Sequence, residues 1–120
     1  MEVPYTLEDG IAGAIQLLER PEPPTAIFCS NDILAFGAMR AALDRGLSLP
    51  ADLSVIGFDN SPMAAVTSPR LTTVSQPAYD MGARACDLLC SLIDGENPTE
   101  RGILLPTELC VRDTTAPPRA

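Results

Sequence analysis

The stretch AIFCSNDILA, residues 26–35, decides how this chain folds. A short apolar run stops at Ser30, Asn31 and Asp32, and a second apolar run resumes at once. Read as strand, polar junction and helix, it is the first half of a βαβ unit. Two roles compete for the polar side chains. Ser, Asn and Asp satisfy free amides at helix starts, so the junction is explained by capping alone. The same place, beyond the carboxyl end of a strand, is also where open α/β sheets hold ligands.

Working outward, the pattern repeats. Thr6 followed by Asp9 is a capping-box variant, and Ile11, Ala14, Ile15 and Leu18 recur at helical spacing. RPEPPT (20–25) ends that helix, because each proline removes a donor and stiffens the chain. From Ile33 to about Arg45 the spacing predicts a helix through Leu34, Ala38, Met39, Ala42 and Leu43, with Gly46 as its stop. LSVIGF (53–58) reads as a buried strand broken by DNSP, and LTTVS (71–75) as another, ended by Pro77. A helix over roughly 78–94 carries Met81, Ala85, Leu88, Leu92 and Ile93 on its apolar side and closes at Gly95. GILLP and ELCV read as short strands, and RDTTAPPRA as a polar tail that frays. This order predicts an α/β fold, a doubly wound and mostly parallel sheet with helices on both faces. Strands of that kind are buried on both sides, which accounts for the unbroken apolar runs AIFC and VIGF.

Composition narrows the function classes. With 120 residues, nearly half hydrophobic, the chain can bury a core. A net charge of −8, with eight Lys plus Arg against sixteen Asp plus Glu, disfavours direct contact with nucleic acid. Histidine is absent, which removes the commonest general base and metal ligand. Cys29, Cys86, Cys90 and Cys110 form no CxxC pair and read as free thiols, so no metal and no cofactor is expected. No apolar run is long enough to span a bilayer, and the N-terminus has no secretory pattern. A cytoplasmic protein without a membrane partner is the expectation.

Three apolar strands each end in a polar cluster: Ser30-Asn31-Asp32, Asp59-Asn60-Ser61 and Ser75-Gln76. Parallel strands bring those ends to one rim. Asn31 and Gln76 offer donors and an acceptor and Asp59 offers two acceptor oxygens, a set suited to a neutral, hydroxyl-rich or amide-bearing ligand. The competing account leaves Asn31 or Asp32 as a cap, favoured for Asp32, Asp59-Asn60 as an Asx turn, and Gln76 on the surface. An enzyme is the other class, with Asp32 and Asp59 as an acid/base pair or a magnesium site of phosphatase type. No glycine-rich phosphate loop, lysine or activated nucleophile accompanies them, and Gly57 is a lone glycine in a strand. The expectation is therefore a non-enzyme.

PTAIFCSNDILAFGAMRAALDRGLSLPADLSVIGFDN, followed by SPRLTTVSQPAYDMGARACDLL and ILLPTELCVRDTTAPP, resembles the C-terminal part of LacI/GalR-family transcriptional regulators. The resemblance runs from about Tyr5 to Pro118. Its elements are PTA…ND…A, P-x-D-x-SV-x-GFD, LTTV-x-Q and LLPTEL-x-VR-x-T, whose order and spacing are more specific than any one alone. It implies a periplasmic-binding-protein-like fold of two α/β lobes with a small-molecule effector, sugar-like, between them. Carried over, the effector contacts are Asn31 and Asp59, with Gln76 bordering the cleft and Tyr5 placed to stack on the ligand. The family's further aromatic position is Ala78 here. The helix after ND and the loop after GFD belong to the family's homodimer interface, which points to Phe36 and Arg40; a core aromatic and a solvated charge are the plainer accounts.

The same resemblance divides the chain. Residues 1–76 correspond to part of the C-terminal lobe, 77–106 to a helix and strand of the N-terminal lobe, and 107–120 to a return strand and tail. It implies a fragment of an effector-binding and dimerisation core, controlling DNA binding by a helix-turn-helix not among these residues. A solute-binding protein fragment is the alternative within the fold. The apolar side of the 78–94 helix is expected to lack its partners, so that the isolated chain dimerises, swaps elements or is poorly stable.

Overall fold

The computed structural model describes residues 5–98 and 102–118. Its elements run α1 (Leu7–Leu18), β1 (Ala26–Phe28), α2 (Asp32–Asp44), β2 (Ser54–Asp59), a 3-10 turn (Pro62–Ala65), β3 (Thr72–Ser75), α3 (Ala78–Ile93) and β4 (Glu108–Cys110). The chain divides into two compact units, one of Met1–Ser75 with Leu109–Ala120, the other of Gln76–Glu108.

In the first unit the strands lie in the order β1-β2-β3-β4, with β1 parallel to β2 and β2 parallel to β3. The parallel α/β architecture expected from the sequence is the one observed. Phe28 pairs with Ile56, and Asp59 with Ser75. The reciprocal Thr6–Asp9 box starts α1: Thr6 Oγ1 accepts from the Asp9 amide at 3.2 Å and Asp9 Oδ2 from the Thr6 amide at 3.0 Å. The Thr6 hydroxyl, which donates to Asp9 Oδ2 at 2.6 Å, and after it the Thr6 amide hold the Asp9 carboxyl below its ordinary pKa. Gly46 and Gly95 follow the ends of α2 and α3 at φ +76° and +82°, the left-handed conformation that glycine takes without a Cβ penalty.

The core is built of small side chains. Ala35, Ala38, Ala41 and Ala42 of α2 are almost wholly buried with Ala14, Leu53, Val55 and Leu71. Small residues let backbones approach, and α1 and α2 cross where both are glycine. A Cβ at Gly10 would lie 2.8 Å from Leu34 Cα, and one at Gly37 would lie 2.7 Å from the Ile11 amide nitrogen.

Three sequence expectations differ in detail. β1 and β2 are fully buried on one face only: β2 alternates between buried and half-buried positions until its exposed last residue, and Phe28 of β1 is 64% exposed, whereas Thr72 and Thr73 of β3 are both buried. Ile27, Cys29 and Val55 are buried and belong to the same core cluster as α2, whereas Phe28 and Ile56 look the other way. GILLP forms no strand in its residues 102–106. The tail is held rather than frayed through its described residues. Thr114 is fully buried, its carbonyl accepts from the Val55 amide at 2.8 Å, and its hydroxyl both donates to Val55 O and accepts from the Thr72 amide. A threonine can supply strand-like bonds through its hydroxyl, which a polar-tail reading overlooks.

The second unit is α3 followed by an extended segment. No residue of α3 is buried. Met81, Ala85 and Leu88 share a shallow groove with Ile103 and Leu105, while Tyr79 and Ile93 are 88% and 74% exposed. Among the described residues no helix is long and apolar enough to cross a membrane.

Candidate functional site

The polar junction of residues 30–32 divides its labour. Asn31 is the N-cap of α2, and its Oδ1 accepts from the Leu34 amide at 2.8 Å. Capping takes the carbonyl end of that side chain and leaves the Nδ2 donors for other work. Asp32 is not a cap. It is the first residue of α2 and is 1% exposed, and its carboxylate reaches across the sheet. Oδ2 accepts from the Ser61 amide at 2.6 Å, and Oδ1 from the Thr73 hydroxyl at 2.5 Å. Its place at a helix N-terminus favours negative charge, which offsets part of the cost of burying it. Gly57 explains itself here: a Cβ on it would collide with Asp32 Oδ1 and lie 2.9 Å from Leu71 Cδ2.

Those bonds shape the corner beyond β2. Asp59 and Asn60 have φ +111° and +52°. Asparagine enters the left-handed region readily, but φ +111° is strained for aspartate and persists only where neighbours impose it. The neighbours are identifiable. The Asn60 amide donates to Thr73 Oγ1 at 3.3 Å, and the next amide, that of Ser61, is held by Asp32. Arg112 adds a second clamp, with Nη2 on Asn60 Oδ1 at 2.7 Å and Nη1 on the Leu71 carbonyl at 2.8 Å. Asp59 itself is exposed.

The register sets the levels of the expected ligand residues. Phe28 pairs with Ile56, so Asn31 and Asp59 each stand three residues beyond a paired position. Asp59 pairs with Ser75, and Gln76 is the next residue and opens the second unit. Gln76 is half-buried, and Tyr5 is 61% exposed immediately before the α1 cap. Phe36 is half-buried and packs against the core, while Arg40 is solvent-facing and paired with Asp44 at 2.8 Å.

Asp32 as a staple, Asn60 and Arg112 were not singled out by sequence reasoning. A signal existed for the first: a glycine inside a buried strand marks close approach by another group. Cys29 is buried, and loss of hydration pushes its thiol up to about 11. Among the described residues no group of three or more acidic, cysteine or histidine side chains gathers to hold a metal.

Comparison with known proteins gives the arrangement a context. The model of the family described as "Periplasmic binding protein-like domain" matches residues 2–115. The HTH-type transcriptional repressor CytR of Escherichia coli (strain K12) is 41% identical over 111 residues, which cover 92% of this chain and 33% of CytR. The lac repressor dimer bound to operator and the anti-inducer ONPF superposes with a TM-score of 0.84 at 35% identity, over 92% of this chain and 38% of that one. The transcriptional regulator CelR in complex with cellobiose does so with a TM-score of 0.86 at 31% identity, over 95% and 37%. The chain thus spans about a third of the length of the curated relatives it matches.

Proposed function

The chain belongs to the periplasmic binding protein-like domain family, in its LacI-type transcriptional-regulator branch, and on that footing we propose that it senses a small, sugar-like effector through the strand-end rim of its parallel sheet. Asn31 and Asp59 are the two polar contacts, Gln76 and Tyr5 complete the set, and no catalytic step is involved. The observation that carries this reading is the shared register of Asn31 and Asp59, together with the strained, externally held backbone at Asp59. Asn31 keeps its donors for a ligand, since its acceptor is committed to α2, while the exposed Asp59 carboxylate supplies acceptors for hydroxyl groups. The complex of the similar transcriptional regulator CelR with cellobiose supports the ligand class.

The rest of the proposal concerns the whole protein. The two units correspond to portions of two lobes, and effector binding shifts the population of states in which a separate helix-turn-helix grips DNA. Phe36 and Arg40 lie on a homodimer surface, in keeping with the dimeric lac repressor. These residues do not touch DNA themselves, given the charge of −8. A cytoplasmic location follows from that role.

Amide NMR of the chain, titrated with cellobiose, glucose, galactose and ribose at millimolar concentrations, tests the reading. Saturable shifts at Asn31, Asp59 and Gln76, abolished in Asp59→Asn, are expected for at least one sugar. Shifts that never saturate, or that survive Asp59→Asn unchanged, refute it. Magnesium-dependent hydrolysis of p-nitrophenyl phosphate lost in Asp59→Asn would instead establish the phosphatase-like alternative.

A further inference from the structure

The side chain of Asn60 touches both places where the chain passes between its two units. Its Nδ2 donates to Ser75 Oγ at 3.3 Å, and Ser75 is the last residue before the chain enters the second unit. Its Oδ1 accepts from Arg112 Nη2 at 2.7 Å, and Arg112 lies three residues past Leu109, where the chain returns. Arg112 is fixed on the same spot by its own amide, which donates to Thr72 Oγ1 at 2.9 Å, and by Nη1 on the Leu71 carbonyl. The Asn60 backbone is fastened separately through Thr73 and thence to Asp32. A glycine would hold φ +52° at less cost, so the backbone angle alone does not call for asparagine here. The carboxamide does, because its two ends reach different partners, Nδ2 donating to one connection and Oδ1 accepting from the other.

We propose that Asn60 is a positioning residue that couples the Asp59 corner to both connections between the units, so that a change at Asp59 is transmitted to the points where the chain leaves and re-enters the first unit. Those two connections are the covalent links between the units. The coupling regulates the effector site and rests on that reading for its purpose only. The bonds that transmit it are independent of any ligand. Two sites coupled through one element affect each other reciprocally, so movement of the connections equally alters the geometry offered at Asp59.

The experiment is a double-mutant cycle read by amide chemical shifts of the chain. Asp59→Asn is introduced first, a change at the neighbouring residue that leaves the Asn60 carboxamide intact. Shifts are expected at Ser75 and Gln76 and at Cys110, Val111 and Arg112. In an Asn60→Gly background, which tolerates the left-handed angle, both responses should fall at least fivefold. Ser75→Ala removes the acceptor for Asn60 Nδ2 and leaves the Arg112 bond, so it should silence the Gln76 response and spare the Cys110–Arg112 response. Asn60→Asp should keep both responses, because its carboxylate accepts from Arg112 and from the Ser75 hydroxyl alike. Should Asn60→Gly not fold, Ser75→Ala decides the matter, because general destabilisation does not silence one connection selectively. Full-size responses at both connections in Ser75→Ala, or in Asn60→Gly where it folds, overturn the proposal, as does the absence of any response to Asp59→Asn in the parent chain. A sugar titration without binding, alongside intact coupling, counts against the effector reading alone.

Discussion

Replacing Asp32 with asparagine isolates what its buried charge does. The side chain keeps its shape, but a carboxylate that accepts from both the Ser61 amide and the Thr73 hydroxyl becomes an amide with one acceptor. One of the two donors then faces an NH2 group. Thr73 Oγ1 already accepts from the Asn60 amide, so turning it round leaves its own hydrogen without an acceptor in a fully buried site. Losing one hydrogen bond to a charged group costs roughly 1.5–3 kcal/mol. Removing a negative charge from the first turn of α2 adds about 0.3–1 kcal/mol. The sum is about 2–4 kcal/mol, a large share of the roughly 5–15 kcal/mol that holds a domain together. For a unit of this size the melting temperature should fall by roughly 10–25 °C.

Opposing this is the cost of keeping a carboxylate out of water, which can exceed what its partners return. Urea unfolding followed by far-UV circular dichroism separates the two. Asp32→Asn should move the midpoint to lower urea with an unchanged slope. An unchanged or raised midpoint would mean that desolvation outweighs the two bonds, and the account of the corner would be wrong. Asp32→Ala should be worse than Asn, because it leaves both donors unpaired and opens space beside Gly57.

Two glycines in the helix pair should respond with opposite signs. Gly37→Ala gains up to about 1 kcal/mol in helix propensity, yet its Cβ meets the α1 backbone, which cannot rotate away, so a net loss of about 1–3 kcal/mol in urea unfolding is expected. Gly13→Ala meets nothing within 4 Å and should stabilise by up to about 1 kcal/mol; equal effects at the two sites would contradict the backbone crossing. Thiol labelling with a disulfide reagent at pH 8 should modify the exposed Cys86 and Cys90 promptly and Cys29 only in denaturant, because Cys29 with a pKa of about 11 is almost entirely protonated as well as shielded. Raising the pH toward 11 without unfolding should increase Cys29 reactivity only as far as access permits, and prompt labelling of Cys29 in the folded chain at pH 8 would show that β1 is open on its core face.

What could be read from the sequence was local. The Thr6–Asp9 box, the stops at Gly46 and Gly95 and the strand–junction–helix of residues 26–35 depend on neighbours within a few positions, and the structure has them as expected. The levels of Asn31 and Asp59 were also legible, because parallel order follows from alternating helices and strands. What escaped was long-range pairing. Asp32 is bonded to partners 29 and 41 residues away, so its type fitted a cap as well as a staple. Arg112 meets Asn60 across 52 residues, and Thr114 meets Val55 across 59, so a tail with turn-like composition proved to be part of the sheet's hydrogen bonding. Unbroken apolar runs suggested two-sided burial, but run composition does not state which face another element covers, and Phe28 remains exposed.

At Ser30-Asn31-Asp32, capping does not compete with the proposed ligand contact. Asn31 can serve both because an amide has two ends and a cap uses one: the Leu34 amide takes Oδ1, which fixes the direction in which Nδ2 points. A donor whose orientation is set by a helix loses little freedom when it meets a ligand, which is the physical advantage of building a contact from a cap. Asp32 does the corresponding work for the next strand, holding the Ser61 amide and, through Thr73, the Asn60 amide, so that the corner carrying Asp59 is fixed from below. One tripeptide therefore governs the rim at β1 directly and at β2 through a buried carboxylate. It follows that Asp32→Asn should disturb Asp59 more than Asn31, whose cap bond does not involve Asp32.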